Sequence, residues 1–466
     1  MEKFYKKLWG FNKSYLIILF ALSILLRFYK ITEAFPFDFD QEVPAIAAYN
    51  FYKLHKFTII GQELSFQGFF LGPFHNWIGF IPYGICNLKP ECVPYFYTLL
   101  GSITIVTLYL ILSKIIDKKI AILTTLFFSI SFAAIGFERT VNSNFFLFPT
   151  SISLFYFLYK YFQFKNQYLI IGAFFCGLAI VNFNPIFIFT TIAFVLTSLI
   201  RNKKSIAVYL ISFFAFAINY LPLFLFNFRH NNLIYNSLIQ FLHTNSSSQF
   251  DLGRIGFIAY KIVLPLYANF FFQNTNIVVM LFTLALLIYG MKIALKEKES
   301  KPYYLFLPIT VIVTFVGFIF YKLPIPEYYF LPTLLPMVIL VSMALKRNKY
   351  LLILFFAIFL FINLEKAYFF SSPVNLKIKE RVIDYVIKDT NGKSFKLYNE
   401  MPPGMNTGYD YLFKISNHQP TPGGENLYIL NFKNPANFEM EKYYKTFPGE
   451  KINLKIIRSV EIVSVK

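Results

Sequence analysis

Three carboxylates lie within five positions in the stretch PFDFDQEVPA, residues 36–45: Asp38, Asp40 and Glu42. They follow directly on an apolar run that looks like a membrane span. Charged groups are costly near hydrocarbon, so their position needs an explanation. An ionised carboxylate at a membrane surface can serve as a general base, and it can also simply cap a helix in contact with water.

The position of Pro44 predicts the local structure around these acids. The residue before a proline is disfavoured in helical geometry, and proline is favoured in the first turn of a helix. We therefore expect a helix to begin near residue 44, with the acids in the turn before it. There the helix dipole and free backbone N–H groups would stabilise negative charge.

The composition of the chain indicates a polytopic membrane protein. The 466 residues are 56% hydrophobic, and only 15% are charged, against about 25% in soluble domains. The net charge of +20 does not indicate a nucleic-acid partner, because Lys and Arg lie mostly in short loops between apolar runs. That distribution is a signal for orientation in a membrane.

The apolar runs predict eleven membrane spans of helical length. The spans are placed at about 14–31, 94–113, 119–137, 145–162, 167–182, 184–200, 205–226, 276–295, 302–321, 328–346 and 349–369. Two further apolar stretches, 66–86 and 255–272, are predicted to be helices lying in the outer interface. The first of them contains Gly72, Pro73 and His75, which suit a membrane span poorly.

With eleven spans, every basic loop falls on the side of the basic N-terminus, as the positive-inside rule requires. These clusters are Lys3, Lys6, Lys7 and Lys13; Lys114, Lys118 and Lys119; Lys160 and Lys165; Arg201, Lys203 and Lys204; Lys292, Lys296, Lys298 and Lys301; and Lys346, Arg347 and Lys349. We predict a multi-pass protein of the cell (plasma or inner) membrane with a cytoplasmic N-terminus and an extracytoplasmic tail. Three loops, at about 32–93, 137–144 and 227–275, then lie outside with the acids.

The sequence changes character after residue 371. The segment KIKERVIDYVIKD has helical spacing of apolar residues, and SFKLY, NLYILNF and INLKIIRSVEIVSV are typical of strands. We expect a membrane module over 1–370 and a small extracytoplasmic α/β domain over 371–466. Cys86 and Cys92 lie close together in the sequence, so they could form a disulfide, and the alternative is that both stay reduced. No metal-ligand spacing is present.

Several motifs follow one another in an order that resembles the membrane glycosyltransferases of the GT-C fold, which use polyprenyl-phosphate sugars. The relatives in question are the protein O-mannosyltransferases and aminoarabinose transferases. DQEVPAIAA is similar to the family's Asp-Glu-Ala-x-x-Ala motif, with Gln41 in place of Glu. FLGPFHNWIGF fits the next motif in part, with Gly72 at a position that is often basic or polar. ERTVNSNFF supplies Arg139, with Asn144 where Asp is expected.

Two later stretches extend the resemblance, which covers about residues 10–345. LFNFRHN resembles a bacterial subgroup, and it places Arg229 and His230 at the end of a span. PEYYFLPTLLP resembles the family's Arg-Tyr-x-x-Pro-x-x-Pro stretch, with Glu327 before the tyrosines instead of Arg.

The resemblance implies an inverting glycosyltransferase in which Asp40 is the catalytic base. Asp38, Glu42 and His75 are second candidates for catalysis or substrate binding. The donor phosphate and sugar would be bound by Arg139, Asn144, Arg229 and His230, since guanidinium groups match phosphate oxygens. No metal-ligand set is predicted and no particular cofactor is implied, and a divalent cation stays an open alternative.

The implied partners are a polyprenyl-phosphate-linked sugar, membrane lipid, and a protein, lipid or polysaccharide acceptor. Two other functions stay open from the residues. A lipid or sugar transporter or flippase would favour ionisable groups in mid-span and internal repeats, and the sequence has neither. A structural membrane protein whose external domain binds a partner would not need Asp40.

Overall fold

The computed structural model describes residues 13–64, 66–201, 205–244, 252–321, 324–433 and 440–466. Five lysines of the basic clusters lie outside the described residues: Lys3, Lys6, Lys7, Lys203 and Lys204. The described chain is mainly helical, with one small sheet near its end.

Four helices precede the long apolar helices: Lys13–Phe28, Ile31–Ala34, Phe39–Leu54 and Phe74–Ile85. The membrane module continues with Cys92–Ile115, Lys118–Ile130, Phe132–Arg139, Leu147–Phe162, Gln167–Asn182, Ile188–Ser198, Ile206–Ala217, Leu221–Arg229, Leu233–Thr244, Leu252–Phe257, Leu264–Phe272, Ile277–Lys296, Phe306–Ile319, Leu334–Leu345 and Lys349–Phe369. Short 3₁₀ or π segments join or extend several of them, at Ser143–Phe146, Pro185–Phe187, Ile218–Tyr220, Ile258–Val263, Pro302–Leu305 and Glu327–Thr333.

Seven continuous helices among the described residues are long and apolar enough to cross a membrane, and the pair Lys118–Ile130 and Phe132–Arg139, bent by 58°, is an eighth. The helix over Glu327–Leu345 is central, since 83% of the residues in its 18-residue apolar segment are buried in the protein. The helix over Ile206–Arg229 is peripheral, with 11% buried. These helices confirm a polytopic membrane fold, while the total of eleven spans stays a prediction.

Contacts between helix ends show that the basic loops share one face. Lys346 Nζ lies 3.1 Å from Asp117 Oδ2, and the Tyr303 hydroxyl donates to the carbonyl of Ile115 at 3.1 Å. Arg201 donates to Asn166 Oδ1 at 2.7 Å. Loops that are far apart in sequence therefore meet at one end of the helix bundle, as the charge pattern predicted.

The helix over Gly253–Phe272 is long and apolar enough to span a membrane, but its contacts place both of its ends in the opposite half of the bundle. Arg254 Nε donates to the carbonyl of Phe318, near the end of a helix that starts at the basic face. The carbonyl of Phe271 accepts from Asn363 Nδ2 at 2.7 Å. The length and composition of this helix also suit a membrane span, so the expectation that 255–272 lies in the outer interface stays a prediction.

The tail contains the predicted helix, at Leu376–Thr390, and four strands: β1 Phe395–Asn399, β2 Asn426–Phe432, β3 Ile452–Ile457 and β4 Val460–Val465. The strand order is β1-β2-β4-β3, with β1 and β2 parallel and the other two pairs antiparallel. Two shorter helices, Tyr409–Ile415 and Met440–Thr446, complete it. The strand predictions for this region are confirmed.

The tail and the loop that carries the acids share one hydrophobic core. Phe35 and Phe37 from the loop and Tyr83 from the helix Phe74–Ile85 are buried together with Val382 and Tyr411 from the tail. The tail is therefore packed directly onto the acidic stretch.

Nearby, Cys86 and Cys92 are joined as a disulfide with a Cα–Cα distance of 6.1 Å.

Candidate active site

The acidic helix begins at Phe39, so the prediction of a start near residue 44 was wrong. Asp38 is the N-cap, and its backbone N–H donates to Gln41 Oε1 at 2.7 Å. Pro44 lies inside the helix, where it has no N–H to donate to the carbonyl of Asp40. The local capping interaction outweighed the proline signal, and Asp40 and Glu42 lie in the first turn of the helix.

The three acids have different partners. Asp38 Oδ1 lies 2.7 Å from Nζ of the buried Lys379 in the tail. Glu42 is also buried, and its two oxygens accept from the backbone N–H groups of Gly408 and Tyr411 at 2.9 and 3.1 Å. Both side chains therefore tie the tail to the membrane module. Burial raises the pKa of the Asp38 carboxyl, and the charge of Lys379 opposes that rise.

Asp40 faces a polar cavity of about 520 Å³. Its Oδ1 accepts a hydrogen bond from Gln62 Nε2 at 2.6 Å. The polar side chains that line the cavity are Asp40, Gln62, Glu63, Thr140, Asn142, Ser143, Asn144, Asn184 and Tyr328. Of the predicted site residues, this cavity brings together Asp40 and Asn144.

Three asparagines form one wall of the cavity. Asn184 Nδ2 donates to Asn144 Oδ1 at 2.7 Å, and Asn142 Oδ1 accepts from the backbone N–H of Asn144 at 3.1 Å. Asn184 belongs to the segment NFNP, residues 182–185. It begins the 3₁₀ turn Pro185–Phe187, and it also lines the cavity. Amide groups of this kind can donate and accept hydrogen bonds with hydroxyl groups.

Gln41, which stands where the resembling family has Glu, connects the loop of the acids with the loop at 137–144. Its Nε2 donates to the carbonyl of Thr140, while its Oε1 accepts from Asp38. A glutamate could not make the first of these bonds, because an ionised carboxylate only accepts. The contact also brings the turn around Asp40 next to Thr140.

A second, apolar cavity of about 340 Å³ adjoins the polar one and shares Leu64, Asn184 and Tyr328 with it. Its other lining residues are mostly aromatic: Phe66, Phe69, Phe189, Phe241, Phe318, Tyr321 and Tyr329. The two cavities together could take an amphiphile, with a polar head beside Asp40 and an apolar chain among the aromatic rings.

Arg139 is buried and does not line the cavity. Its guanidinium group donates to the backbone carbonyls of Leu26 and Tyr29 at 2.7 and 2.6 Å, and to that of Arg27 at 3.1 Å. Glu138 pairs with the buried Arg27, at 2.5 and 2.9 Å, and not with its neighbour Arg139. Arg139 therefore caps the C-terminal end of the first helix.

Three other predicted site residues also lie away from the cavity. Arg229 and His230 are exposed, and His230 Nδ1 lies 2.8 Å from the carbonyl of Phe226. His75 is buried, with Nδ1 3.1 Å from the Tyr97 hydroxyl and with Nε2 lacking a hydrogen-bond partner among the described residues. Burial lowers the pKa of His75 to about 4, so the ring is neutral at neutral pH.

Two carboxylates, Asp40 and Glu63, line the polar cavity. The described residues contain no group of three or more His, Cys, Asp or Glu side chains that could hold a metal ion. None of the described lining residues of either cavity is basic. Lys322, which directly follows the span predicted at 302–321, lies outside the described residues.

Sequence reasoning missed Gln62, Glu63 and Asn184 as cavity residues. Gln62 and Glu63 reach the cavity because backbone hydrogen bonds fold their loop back on itself, from Leu71 N to Gln62 O at 2.8 Å and from Gly61 N to Leu71 O at 2.6 Å. Their only sequence signal is that they are polar residues in the same loop as the acids.

Comparisons with known proteins agree with this architecture. Residues 72–221 match a family model described as dolichyl-phosphate-mannose-protein mannosyltransferase. No curated protein matches the chain in sequence.

Solved structures match over nearly the whole chain. ArnT from Cupriavidus metallidurans, bound to undecaprenyl phosphate, is 11% identical with a TM-score of 0.65, and the match covers 97% of this chain and 98% of that one. The oligosaccharyltransferase from Archaeoglobus fulgidus in complex with Zn and sulfate is 16% identical with a TM-score of 0.55, over 92% of this chain and 69% of that one. AglB from the same organism, in complex with an inhibitory peptide and a dolichol-phosphate, is 12% identical with a TM-score of 0.51, over 91% and 70%.

At these identities the likeness establishes the fold. The chain therefore has the GT-C fold that the sequence resemblance predicted, and about a third of its length matches the mannosyltransferase family model.

Proposed function

We propose that this protein is an inverting glycosyltransferase that moves a sugar from a polyprenyl phosphate to an acceptor at the outer face of the membrane. The observation that carries the proposal is the carboxylate of Asp40 in a polar cavity that adjoins an aromatic one. The bound undecaprenyl phosphate in ArnT and dolichol-phosphate in AglB support a lipid-phosphate donor.

In this mechanism Asp40 takes the proton of the acceptor hydroxyl as its oxygen attacks the anomeric carbon of the sugar. The bond from that carbon to the phosphate oxygen breaks, and the electron pair leaves with the polyprenyl phosphate. Attack opposite the leaving group inverts the anomeric centre. Because Gln62 donates to Oδ1, Oδ2 is the oxygen that accepts the proton.

The two cavities would bind different parts of the donor. The sugar hydroxyls would bind the amides of Asn142, Asn144 and Asn184, and the polyprenyl chain would lie along the aromatic cavity. The leaving phosphate needs a cationic donor. Arg254 is the candidate, since it contacts Phe318 in the wall of the aromatic cavity.

The proposed orientation follows from the positive-inside rule. With the basic loops in the cytoplasm, the cavity and the tail face outward, where sugar nucleotides are absent and a lipid-borne donor is required. A flippase is less compatible with this geometry, because the carboxylates of the cavity lie at one face and not in mid-span. The acceptor stays a choice among a protein, a lipid and a polysaccharide.

The direct test is a transfer assay with the purified full-length protein in phosphatidylglycerol vesicles. Radiolabelled polyprenyl-phosphate hexoses and pentoses would be mixed with membrane extract as the source of acceptor. We expect label to move from the donor to an acceptor, with release of free polyprenyl phosphate. Movement of intact labelled donor across the bilayer without such release would instead indicate a flippase.

A related prediction concerns Gln62. Replacing Gln62 by leucine removes the hydrogen bond to the charged carboxylate, and such bonds contribute about 1.5–3 kcal/mol. We expect the turnover number for sugar transfer to fall about 10- to 100-fold, with a smaller change in the KM for the donor. Gln67, an exposed residue of the same loop that does not line the cavity, provides the matched control. Equal turnover in Gln62→Leu and Gln67→Leu would show that the Gln62 bond has no role in catalysis.

A further inference from the structure

Lys379, in the first turn of the tail helix Leu376–Thr390, has an unusual environment for a lysine. Its side chain is fully buried, and its ammonium group has three acceptors. These are Asp38 Oδ1 at 2.7 Å, the carbonyl of Phe37 at 2.9 Å and the carbonyl of Thr407 at 2.8 Å. An ammonium group has three protons, so its hydrogen-bonding capacity is complete.

Two of these acceptors, on Phe37 and Asp38, belong to the turn before the acidic helix Phe39–Leu54. Phe37 has a φ of 53°, in the left-handed region that bulky side chains rarely adopt. Its carbonyl and the carboxylate of the next residue are both bound by Lys379. Strained conformations of this kind persist only where the surroundings enforce them, and they concentrate at functional sites.

Asp40 lies two residues after Asp38, so the path from Lys379 to the catalytic carboxylate is short. Lys379 fixes Phe37 and Asp38, Asp38 caps the helix, and Asp40 lies in its first turn. Glu42 reinforces the arrangement through its bonds to Gly408 and Tyr411 in the tail. The tail thus reaches the first turn of the helix from the side that faces away from the cavity.

We propose that Lys379 is a positioning residue for Asp40, and that the tail is an integral part of the active site. Lys379 does not line the cavity, so it acts through the strained turn that it binds. This inference rests on the proposed function, since it assumes that Asp40 is the base.

The same helix offers a matched control. Lys377, two residues earlier, also pairs with an acid of the external loop, Glu33 at 3.8 Å, but its side chain is 49% exposed. An exposed pair of this kind contributes little to stability. Lys377→Met therefore removes a tail-to-loop charge pair without releasing the turn before Asp40.

The experiment compares Lys379→Met, Lys379→Arg and Lys377→Met with the natural protein in the vesicle transfer assay, with hydrogen exchange measured over residues 37–42. For Lys379→Met we expect turnover per folded molecule to fall about 10- to 100-fold, since a misplacement of about 1 Å can cost about 100-fold. The KM for the donor should change less. Exchange over 37–42 should rise, Lys379→Arg should recover part of the activity, and Lys377→Met should match the natural protein.

A purely structural role for Lys379 makes a different prediction. It would lower the melting temperature and the yield of folded protein, but the folded fraction would keep its turnover and its exchange over 37–42, which would overturn the proposal. If Lys379→Met does not fold, Lys379→Arg and Asp38→Asn carry the same test. If the natural protein and Lys377→Met do not transfer sugar at all, the proposed function fails, and the exchange measurement still decides whether Lys379 fixes the turn.

Discussion

Asp40→Asn is expected to reduce sugar transfer about 100- to 10,000-fold, which is the usual contribution of a general base. Asparagine has nearly the same shape as aspartate, and its Oδ1 can still accept from Gln62 Nε2. The amide cannot take the acceptor's proton at neutral pH. The variant therefore tests the chemistry of the carboxylate and leaves the packing of the cavity in place.

The measurement is the initial rate of transfer at saturating donor, together with donor binding to the same vesicles. Binding should be kept while turnover is lost. The matched comparison is Glu63→Gln, because Glu63 is the other carboxylate that lines the cavity, and its Oε1 already accepts from Gly68 N–H at 2.7 Å. We expect Glu63→Gln to keep most of the activity. Loss in Glu63→Gln with retention in Asp40→Asn would reverse the assignment of the base.

Why three acids lie at the mouth of the first span could be answered only in part from the sequence. Local reasoning identified the cluster, and the family resemblance ranked Asp40 first. It could not separate the roles of the three, because the partners of Asp38 and Glu42, namely Lys379, Gly408 and Tyr411, lie more than 300 residues away. Two of the acids tie the tail to the loop, and the third faces the cavity.

The membrane fold was more predictable than the site. Backbone polar groups must be satisfied within the membrane, so long apolar runs form helices almost regardless of their detailed sequence. The strands of the tail followed from alternation in short segments. Boundaries depended on local competition, and the capping interaction at Asp38 moved one helix start by five residues from the expected position, to Phe39.

Arg139 illustrates why charged residues were harder to assign. The resemblance implied that Arg139 binds the donor phosphate, and Glu138 is its neighbour in the sequence. Neighbours in a helix point in different directions, however. Glu138 therefore meets Arg27 from the first helix, and Arg139 meets the backbone carbonyls at the end of that helix. Both contacts depend on how two helices pack.

The pair of Arg27 and Glu138 leads to the largest expected effect on stability. The Arg27 side chain is fully buried and that of Glu138 is 12% exposed. Arg27 also donates to the carbonyls of Phe128 and Ser129, each at 3.1 Å. Removing one partner of a buried ion pair leaves a charge without compensation, which costs about 3–5 kcal/mol. Glu138→Ala should therefore destabilise the protein strongly, as seen in its unfolding midpoint in detergent.

Two further variants separate the charge effect from the loss of packing. In the double variant Arg27→Met with Glu138→Leu no charge is left uncompensated, and apolar replacement of a buried pair is often neutral. We therefore expect it to recover most of the stability that Glu138→Ala loses. The exposed pair of Lys393 and Glu425, with both side chains more than 60% exposed, supplies the control, since Glu425→Ala should cost about 0–1 kcal/mol. If the Glu138→Ala protein were as stable as Glu425→Ala, water or lipid headgroups would have to compensate the charge of Arg27. This end of the first helix would then be open to solvent, in contrast to the buried Arg27 of the structure.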